Sequence, residues 1–150
     1  MALRDFFADD AVNLALSGQT RDQVLGELVG LLRLDERDSA LLLKVLLRRE
    51  ELGSTGVGRG VAIPHGRSLV VNRLRLAFGR HPTGVEWQSI DGKPAFNYFL
   101  IVAPPIEVAN QYLQVLGKIA QFAKETDTPH RLSEVRSPQE FFDLLEEKGV

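Results

Sequence analysis

A histidine between a proline and a glycine is the residue of this sequence best placed to do chemistry. Four glycines lie within residues 53–60, and a short apolar run then leads to Pro64-His65-Gly66. The proline restricts the chain before the histidine, while the glycine leaves the far side open. Because neutral imidazole is largely unprotonated near pH 7, His65 is a candidate nucleophile. The pattern alone leaves open that His65 is a solvated loop residue.

The same glycines resemble two phosphate-binding loops, but their context favours neither. Gly53 and Gly58 have the outer spacing of a P-loop, yet Arg59-Gly60 stands where Lys-Ser/Thr is required. A P-loop also follows a strand and opens a helix, whereas here a predicted helix precedes the glycines and a strand follows them. The dinucleotide-binding fingerprint fails for the same reason.

Three side chains upstream of His65 could bind an anion. Arg49 carries a planar, permanent charge that suits phosphate, and Ser54 and Thr55 could offer hydroxyl or backbone N–H donors. Taken alone, Arg49 is better explained as a solvated residue at a helix end, and Ser54 and Thr55 are common in ordinary turns. The sequence shows no convincing set of metal ligands, so we expect no metal and no cofactor. This argues against metal-assisted hydrolysis.

Helices on either side of a strand-rich centre position this segment. The capping pattern Thr20-x-x-Gln23 predicts the start of the first helix, and a second helix should run from about Asp38 to Leu52. Two later helices should begin after Asn110 and at Ser137, where proline and glutamate follow the cap residue.

The centre of the chain is predicted to form strands. Residues 73–78 alternate in the manner of a strand with one wetter face, residues 85–87 are a further candidate, and Asp91-Gly92 indicates a turn. Residues 96–102 are apolar on both faces apart from Asn97, which predicts a central buried strand. We therefore expect one α/β domain over residues 1–150, with helices packed on a mixed sheet.

Composition excludes several classes of protein. The 150 residues carry 18 basic and 20 acidic side chains, so the basic bias of a nucleic-acid-binding protein is missing. There are no cysteines, which excludes disulfides and thiol catalysis. No signal peptide and no apolar stretch of about 20 residues is evident, so we expect a cytoplasmic protein without direct membrane insertion.

Three motifs together resemble a known family. Arg49-Glu50, Gly53-Ser54-Thr55-Gly56 and Gly60-Val61-Ala62-Ile63-Pro64-His65-Gly66 are similar to the signature of IIA domains of the fructose/mannitol class. These domains belong to the bacterial phosphoenolpyruvate:sugar phosphotransferase system (PTS), and the class includes the nitrogen-regulatory IIA proteins. The resemblance covers essentially the whole chain. It implies a mixed sheet with helices on both faces.

The same resemblance implies site residues and partners. His65 matches the histidine that accepts phosphate from the phosphocarrier protein HPr or its nitrogen-branch equivalent, and Arg49 matches the active-site arginine. In sugar transporters the phosphoryl group then passes to a IIB domain. Ser54, Thr55 and Gly66 are candidates for binding the phosphate. The start of the third helix should lie close by, because its free N–H groups favour anions.

The sequence departs from the family pattern at Tyr112, where the sugar class has a second active-site histidine. Tyrosine can donate a hydrogen bond but is not a cation at neutral pH. We therefore expect His65 to be phosphorylated with an altered transfer rate or an altered stability of the phosphohistidine. The other two histidines, His81 and His130, are expected to be structural or solvated. Phe141-Phe142 and Trp87 are assigned to the core, with a position near the surface left open for Trp87.

Three functions remain open. The leading hypothesis is a free-standing phosphocarrier of the nitrogen-regulatory type that binds partners according to its phosphorylation state, because no IIB or IIC segment is seen and residues 54–65 look close to that subgroup. The second is a separate IIA subunit of a fructose- or mannitol-type transporter. The third is a binding module that has lost phosphoryl transfer, which the tyrosine at position 112 favours.

Overall fold

The computed structural model describes residues 1–107 and 109–150. A short 3₁₀ turn, Leu3–Phe6, precedes the first strand. The strands of the described chain are β1 Phe7–Asn13, β2 Gly56–Gly58, β3 Val61–Ala62, β4 His65–Arg67, β5 Arg75–Val85 and β6 Ala95–Ala103. Its helices are α1 Arg21–Gly30, α2 Glu36–Glu51, α3 Gln111–Lys124, α4 Thr128–Glu134 and α5 Pro138–Glu147.

The strands form one mixed sheet in the order β1-β5-β6-β3-β2, and β4 also pairs with β6. Strands β3 and β4 lie parallel to β6 one after the other, while β5 lies antiparallel on its other side. The predicted central strand is confirmed as β6. Its one polar residue, Asn97, is buried as well, with 5% of its surface exposed. The register places His65 beside Ile101 of β6.

Helices cover both faces of the sheet, as predicted. On one face Phe78 of β5 stacks on Phe141 of α5, with ring centroids 4.2 Å apart, and Phe99 of β6 packs beside them. The next residue along β5, Gly79, points to the opposite face, where it lies against Leu28 of α1. Helix α2 packs on β4 on that same side. The α/β fold with a mixed sheet and helices on both faces is therefore confirmed.

Side-chain caps define two of the predicted helix starts. Thr20 Oγ1 and Ser137 Oγ accept hydrogen bonds from backbone N–H groups in the first turns of α1 and α5. The predicted cap of α3 was wrong. Asn110 precedes α3 with φ 51° and makes no capping bond, while the Glu107 carboxylate accepts from the Tyr112 N–H at 2.9 Å. The carboxylate of Glu107 thus makes the capping hydrogen bond that was expected from the side chain of Asn110.

Several local predictions were wrong because tertiary contacts decided them. The wetter face expected for residues 73–78 is present only at its start, where Arg73 is exposed and Arg75 half-buried, and it ends at Ala77, which is fully buried. Trp87 lies outside any strand, buried against Tyr98 with ring centroids 4.8 Å apart. By contrast, the prediction for the other two histidines is confirmed: His81 lies within β5, buried with Nε2 2.7 Å from Gly18 O, and His130 is exposed on α4.

Four elements were not predicted, namely strands β1, β2 and β4 and helix α4. Strand β1 contains two adjacent exposed aspartates, Asp9 and Asp10, which interrupt the alternating apolar pattern by which a strand is predicted. Helix α4 is only 7 residues long. The glycine-rich turn contains β2, which pairs antiparallel with β3, the short strand expected after the glycines. Within the described parts of the chain, no helix has the length and apolar character that crossing a membrane requires.

The close approach of α1 to the sheet can be tested at Gly79. A Cβ there would lie 2.6 Å from Leu16 Cδ1 and 2.9 Å from Leu28 Cδ2, so Gly79→Ala should lower the free energy of unfolding by about 1–3 kcal/mol. Gly26→Ala, within α1, meets no atom within 4 Å and should raise it by about 1 kcal/mol. Urea denaturation measures both changes. Equal stability of the two variants would contradict this packing.

Candidate functional site

His65 begins β4 with one ring nitrogen already bound. Its Nδ1 lies 2.6 Å from the carbonyl oxygen of Ile63, and a carbonyl can only accept, so Nδ1 carries the proton. The neutral ring therefore keeps its lone pair on Nε2. The ring is half-buried. Backbone pairing holds the segment in place, because the Ile101 N–H of β6 donates to Pro64 O at 3.0 Å.

Gly66 lets β4 lie close to α2. A Cβ at Gly66 would come within 3.2 Å of Val45 Cγ1 and 3.6 Å of Leu46 Cδ2, so a larger residue would push the strand away from the helix. Because side chains alternate along a strand, His65 and Arg67 point to the side opposite this contact. This packing role is what the structure shows for Gly66; phosphate binding by its backbone stays a prediction.

The electrostatic environment favours the neutral form of His65. Burial lowers the pKa of His65, and the nearby positive charge of Arg49 lowers it further. The hydrogen bond to Ile63 O and the negative charge of Glu50 act in the opposite direction. The net effect is a pKa below the ordinary value, so the nucleophilic form persists into more acidic solution.

Arg49 lies in the last turn of α2, where the chain turns into the glycine-rich segment. Its Nη1 donates to Gly53 O at 2.7 Å, which ties the guanidinium to the end of its own helix. Its charge lowers the pKa of both His65 and Tyr112, so it acts on the two rings at once. The structure thus brings together the arginine, the histidine and the tyrosine that were selected from the sequence.

Ser54 and Thr55 have internal partners. The Thr55 N–H donates to Glu50 Oε1 at 2.9 Å, and the Thr55 hydroxyl donates to Glu50 Oε2 while accepting from Trp87 Nε1–H at 3.2 Å. The Ser54 hydroxyl donates to Trp87 O and accepts from Gly56 N–H at 3.0 Å. These bonds favour a role in holding the loop, and phosphate binding by these hydroxyls stays a prediction.

Tyr112 lies beside His65, on the first turn of α3. The two ring centroids are 6.1 Å apart with an angle of 54° between the planes. Burial raises the pKa of Tyr112, although Arg67 and Arg49 counteract this. The phenol therefore stays protonated at neutral pH and can serve as a hydrogen-bond donor.

Two further site residues escaped sequence reasoning. The Arg67 guanidinium carbon lies 4.4 Å from the centroid of the Tyr112 ring, a cation–π contact. Arg67 also donates to Pro104 O at 2.9 Å and to Glu107 Oε1 at 3.3 Å. Alternate residues of a strand lie on the same face, so a strand predicted to begin at His65 would have placed Arg67 on the side of the histidine. No local pattern indicated Glu107, which reaches the site through the end of β6.

This arrangement can hold an anion but offers no metal cage. Arg49 and the Tyr112 ring lie near one neutral imidazole, and Arg67 lies against the same tyrosine. In the described part of the chain, no group of three or more histidine, aspartate or glutamate side chains could hold a metal ion.

Comparison with known proteins identifies the class to which this fold and site belong. The profile of the family described as "Phosphoenolpyruvate-dependent sugar phosphotransferase system, EIIA 2" matches residues 5–148. The chain therefore belongs to this family, and phosphoryl transfer is the class of reaction in which it takes part.

Individual relatives agree with this assignment. A nitrogen regulatory protein of Bradyrhizobium diazoefficiens is 33% identical over 146 residues, which cover 97% of this chain and 95% of the relative. A fructose-specific PTS EIIA component of Haloferax volcanii is 36% identical over 115 residues, covering 77% and 73%. The crystal structure of nitrogen regulatory protein IIA-Ntr from Neisseria meningitidis superimposes with a TM-score of 0.85 at 30% identity, covering 94% of this chain and 97% of that one.

The effect of Arg49 on His65 can be measured directly. Because its charge lowers the pKa of His65, Arg49→Gln should raise that pKa towards the ordinary value of about 6.5, while Arg49→Lys should leave it nearly unchanged. NMR titration of the His65 ring protons in the three proteins provides the comparison. If Arg49→Gln titrates at the same pH as the wild type, the guanidinium is not near the imidazole.

Proposed function

We propose that this protein is a phosphocarrier that holds the phosphoryl group on Nε2 of His65. The single observation that carries the proposal is the hydrogen bond from Nδ1–H to Ile63 O, which leaves Nε2 as the free nucleophile. The lowered pKa of His65 keeps that nitrogen unprotonated at neutral pH. Family membership supports the reaction class.

The transfer step follows from this geometry. The Nε2 lone pair of His65 attacks the phosphorus of a phosphohistidine on the donor protein, a new N–P bond forms, and the donor N–P bond breaks with its electron pair on the donor ring. His65 then carries a positive ring whose Nδ1 proton is stabilised by Ile63 O. The Nδ1 proton stays in its hydrogen bond to Ile63 O, and the donor ring takes up a proton from solvent as its N–P bond breaks. The same steps in reverse pass the phosphoryl group from His65 to a histidine or other nucleophile of an acceptor protein.

The surrounding charges are arranged to stabilise the transferred group. Phosphoryl transfer depends on alignment and on donors for the equatorial oxygens more than on covalent help. Arg49 supplies one cation beside His65, and the protonated Tyr112 hydroxyl supplies a neutral donor. Arg67, in contact with the Tyr112 ring, adds a second cation to the site.

The surface around His65 suits docking of another protein. Helix α2, which packs on β4, exposes the apolar side chains Leu41 and Val45, and Leu52 follows at its end. Beside the start of α3, Ile106 is 89% exposed and Leu113 is 57% exposed. Apolar side chains around a polar centre are typical of protein-binding surfaces. We propose an HPr-like phosphocarrier as the donor and a IIB domain or a regulatory target as the next partner.

Of the two kinds of phosphocarrier, we favour the nitrogen-regulatory type. The near full-length match to a nitrogen regulatory protein supports it, as does the similarity to the IIA-Ntr structure. Phosphorylation would then act as a switch, because it adds about two negative charges at His65. A cytoplasmic location is part of this proposal. The fructose-specific relative supports a second candidate, a IIA subunit of a sugar transporter.

Phosphorylation of His65 is testable by reconstitution. The protein is incubated with labelled phosphoenolpyruvate, the first enzyme of the system and an HPr-like carrier, and acid-labile phosphate is measured. We expect label on the wild type and none on His65→Ala, since no other histidine has the required setting. His130→Ala is the matched control at an exposed histidine and should label normally. An unlabelled wild type with cognate donors would favour the transfer-deficient binding module. Addition of candidate IIB domains then separates the regulatory from the transport role.

Tyr112 should influence the rate of transfer. Tyr112→His should speed transfer about fivefold at mildly acidic pH, because a protonated imidazole donates a charge-assisted hydrogen bond roughly 1 kcal/mol stronger than that of a neutral phenol. Tyr112→Phe, which keeps the ring and removes the donor, should slow it. Rapid-quench kinetics on the three proteins measures these rates. Identical rate constants would exclude a role for this position in transfer.

A further inference from the structure

Two donors beside His65 already hold an anion that belongs to the protein itself. Arg67 lies on the same side of β4 as His65, and both side chains are near the Tyr112 ring, whose centroid is 6.1 Å from that of the His65 ring and 4.4 Å from the Arg67 guanidinium carbon. The Glu107 carboxylate binds this guanidinium at 3.3 Å and accepts from the Tyr112 N–H at 2.9 Å. A cation and an N–H group in the first turn of a helix, which has no partner within the helix, are the donors that a phosphate prefers.

The Glu107 carboxylate is held without being fully satisfied. Its side chain is only 10% exposed. Oxygen Oε1 takes both hydrogen bonds, whereas the buried Oε2 has no partner among the described residues. Burying a carboxylate oxygen without a donor is unfavourable. Glu107 is therefore a weak occupant of its site.

We propose that Glu107 is an internal competitor for the phosphoryl group of His65, occupying Arg67 before transfer and releasing it to the phosphate afterwards. This inference rests on the proposed phosphorylation of His65. A phosphoryl group brings about two negative charges and three acceptor oxygens, so it is the stronger ligand for the guanidinium. Arg67 is then a positioning residue whose partner changes with the phosphorylation state.

The exchange would alter the surface that a partner meets. Glu107 directly follows Ile106, whose side chain is 89% exposed beside the site. Loss of the Arg67 bond removes one of the two contacts of Oε1 and frees this segment to move. A protein that binds one phosphorylation state would thus recognise the rearranged segment as well as the charge on His65.

Two substitutions separate competition from simple charge repulsion. Glu107→Gln retains an acceptor oxygen for the Tyr112 N–H but pairs less well with Arg67. It should raise the equilibrium constant for phosphoryl transfer from the donor to His65 about fivefold, the effect of a partly exposed charge pair. Arg67→Gln should lower that constant. In the Arg67→Gln background, Glu107→Gln should change it by less than about twofold, because the shared ligand is gone.

The measurement is the ratio of phosphorylated to free protein at a fixed ratio of phosphorylated to free donor, with Glu146→Gln as the control at an exposed glutamate of α5. Circular dichroism verifies that each variant is folded, and Glu107→Ala replaces Glu107→Gln if the latter is not. An equal effect of Glu107→Gln in both backgrounds, or no effect in either, would overturn the proposal while leaving the phosphocarrier function intact. An unlabelled wild type would overturn both.

Discussion

The hydrogen bond between His65 Nδ1–H and Ile63 O is the interaction on which the proposed phosphoryl transfer depends. It selects the tautomer and leaves Nε2 with its lone pair, and it would support the ring when phosphorylation makes it positive. The bond requires Ile63 and His65 to keep their relative orientation across Pro64. Backbone bonds from Ile101 N–H to Pro64 O and from Ile63 N–H to Thr55 O provide this support. The central strand and the glycine-rich loop thus hold the nucleophile from two sides.

The buried polar network under the loop explains the glycine spacing better than a phosphate cradle does. Glu50, at the end of α2, accepts from both donors of Thr55, and Trp87 completes the network. Gly56 is required because a Cβ there would collide with Ser89. The turn after β2 places Gly60 at φ 76°, a conformation that glycine adopts at low cost. These residues act on His65 through the position of the backbone that they hold.

Charge around the site is balanced by residues that are distant in sequence. Arg49 comes from a helix end, Arg67 from a short strand, and Glu107 from the segment that follows the central strand. The tyrosine at position 112 removes a potential cation from the family pattern, and its ring instead packs against the Arg67 guanidinium. A site that lacks one positive side chain therefore retains a positive charge nearby through a cation–π contact.

Local sequence determined the helix caps Thr20 and Ser137, the buried central strand, and the Pro64-His65-Gly66 presentation, because each depends on neighbouring residues or on a short period. The family resemblance added two predictions, Arg49 as a site residue and the placement of helices on both faces of the sheet. Only the tertiary structure decided that Glu107 caps α3, that Thr55 bonds to Glu50, and that Arg67 lies on Tyr112. Such contacts join residues from different elements, and no periodicity encodes them. The ring nitrogen proposed for transfer belongs to this second group, since the carbonyl oxygen of Ile63, two residues before His65, determines it through the folded turn.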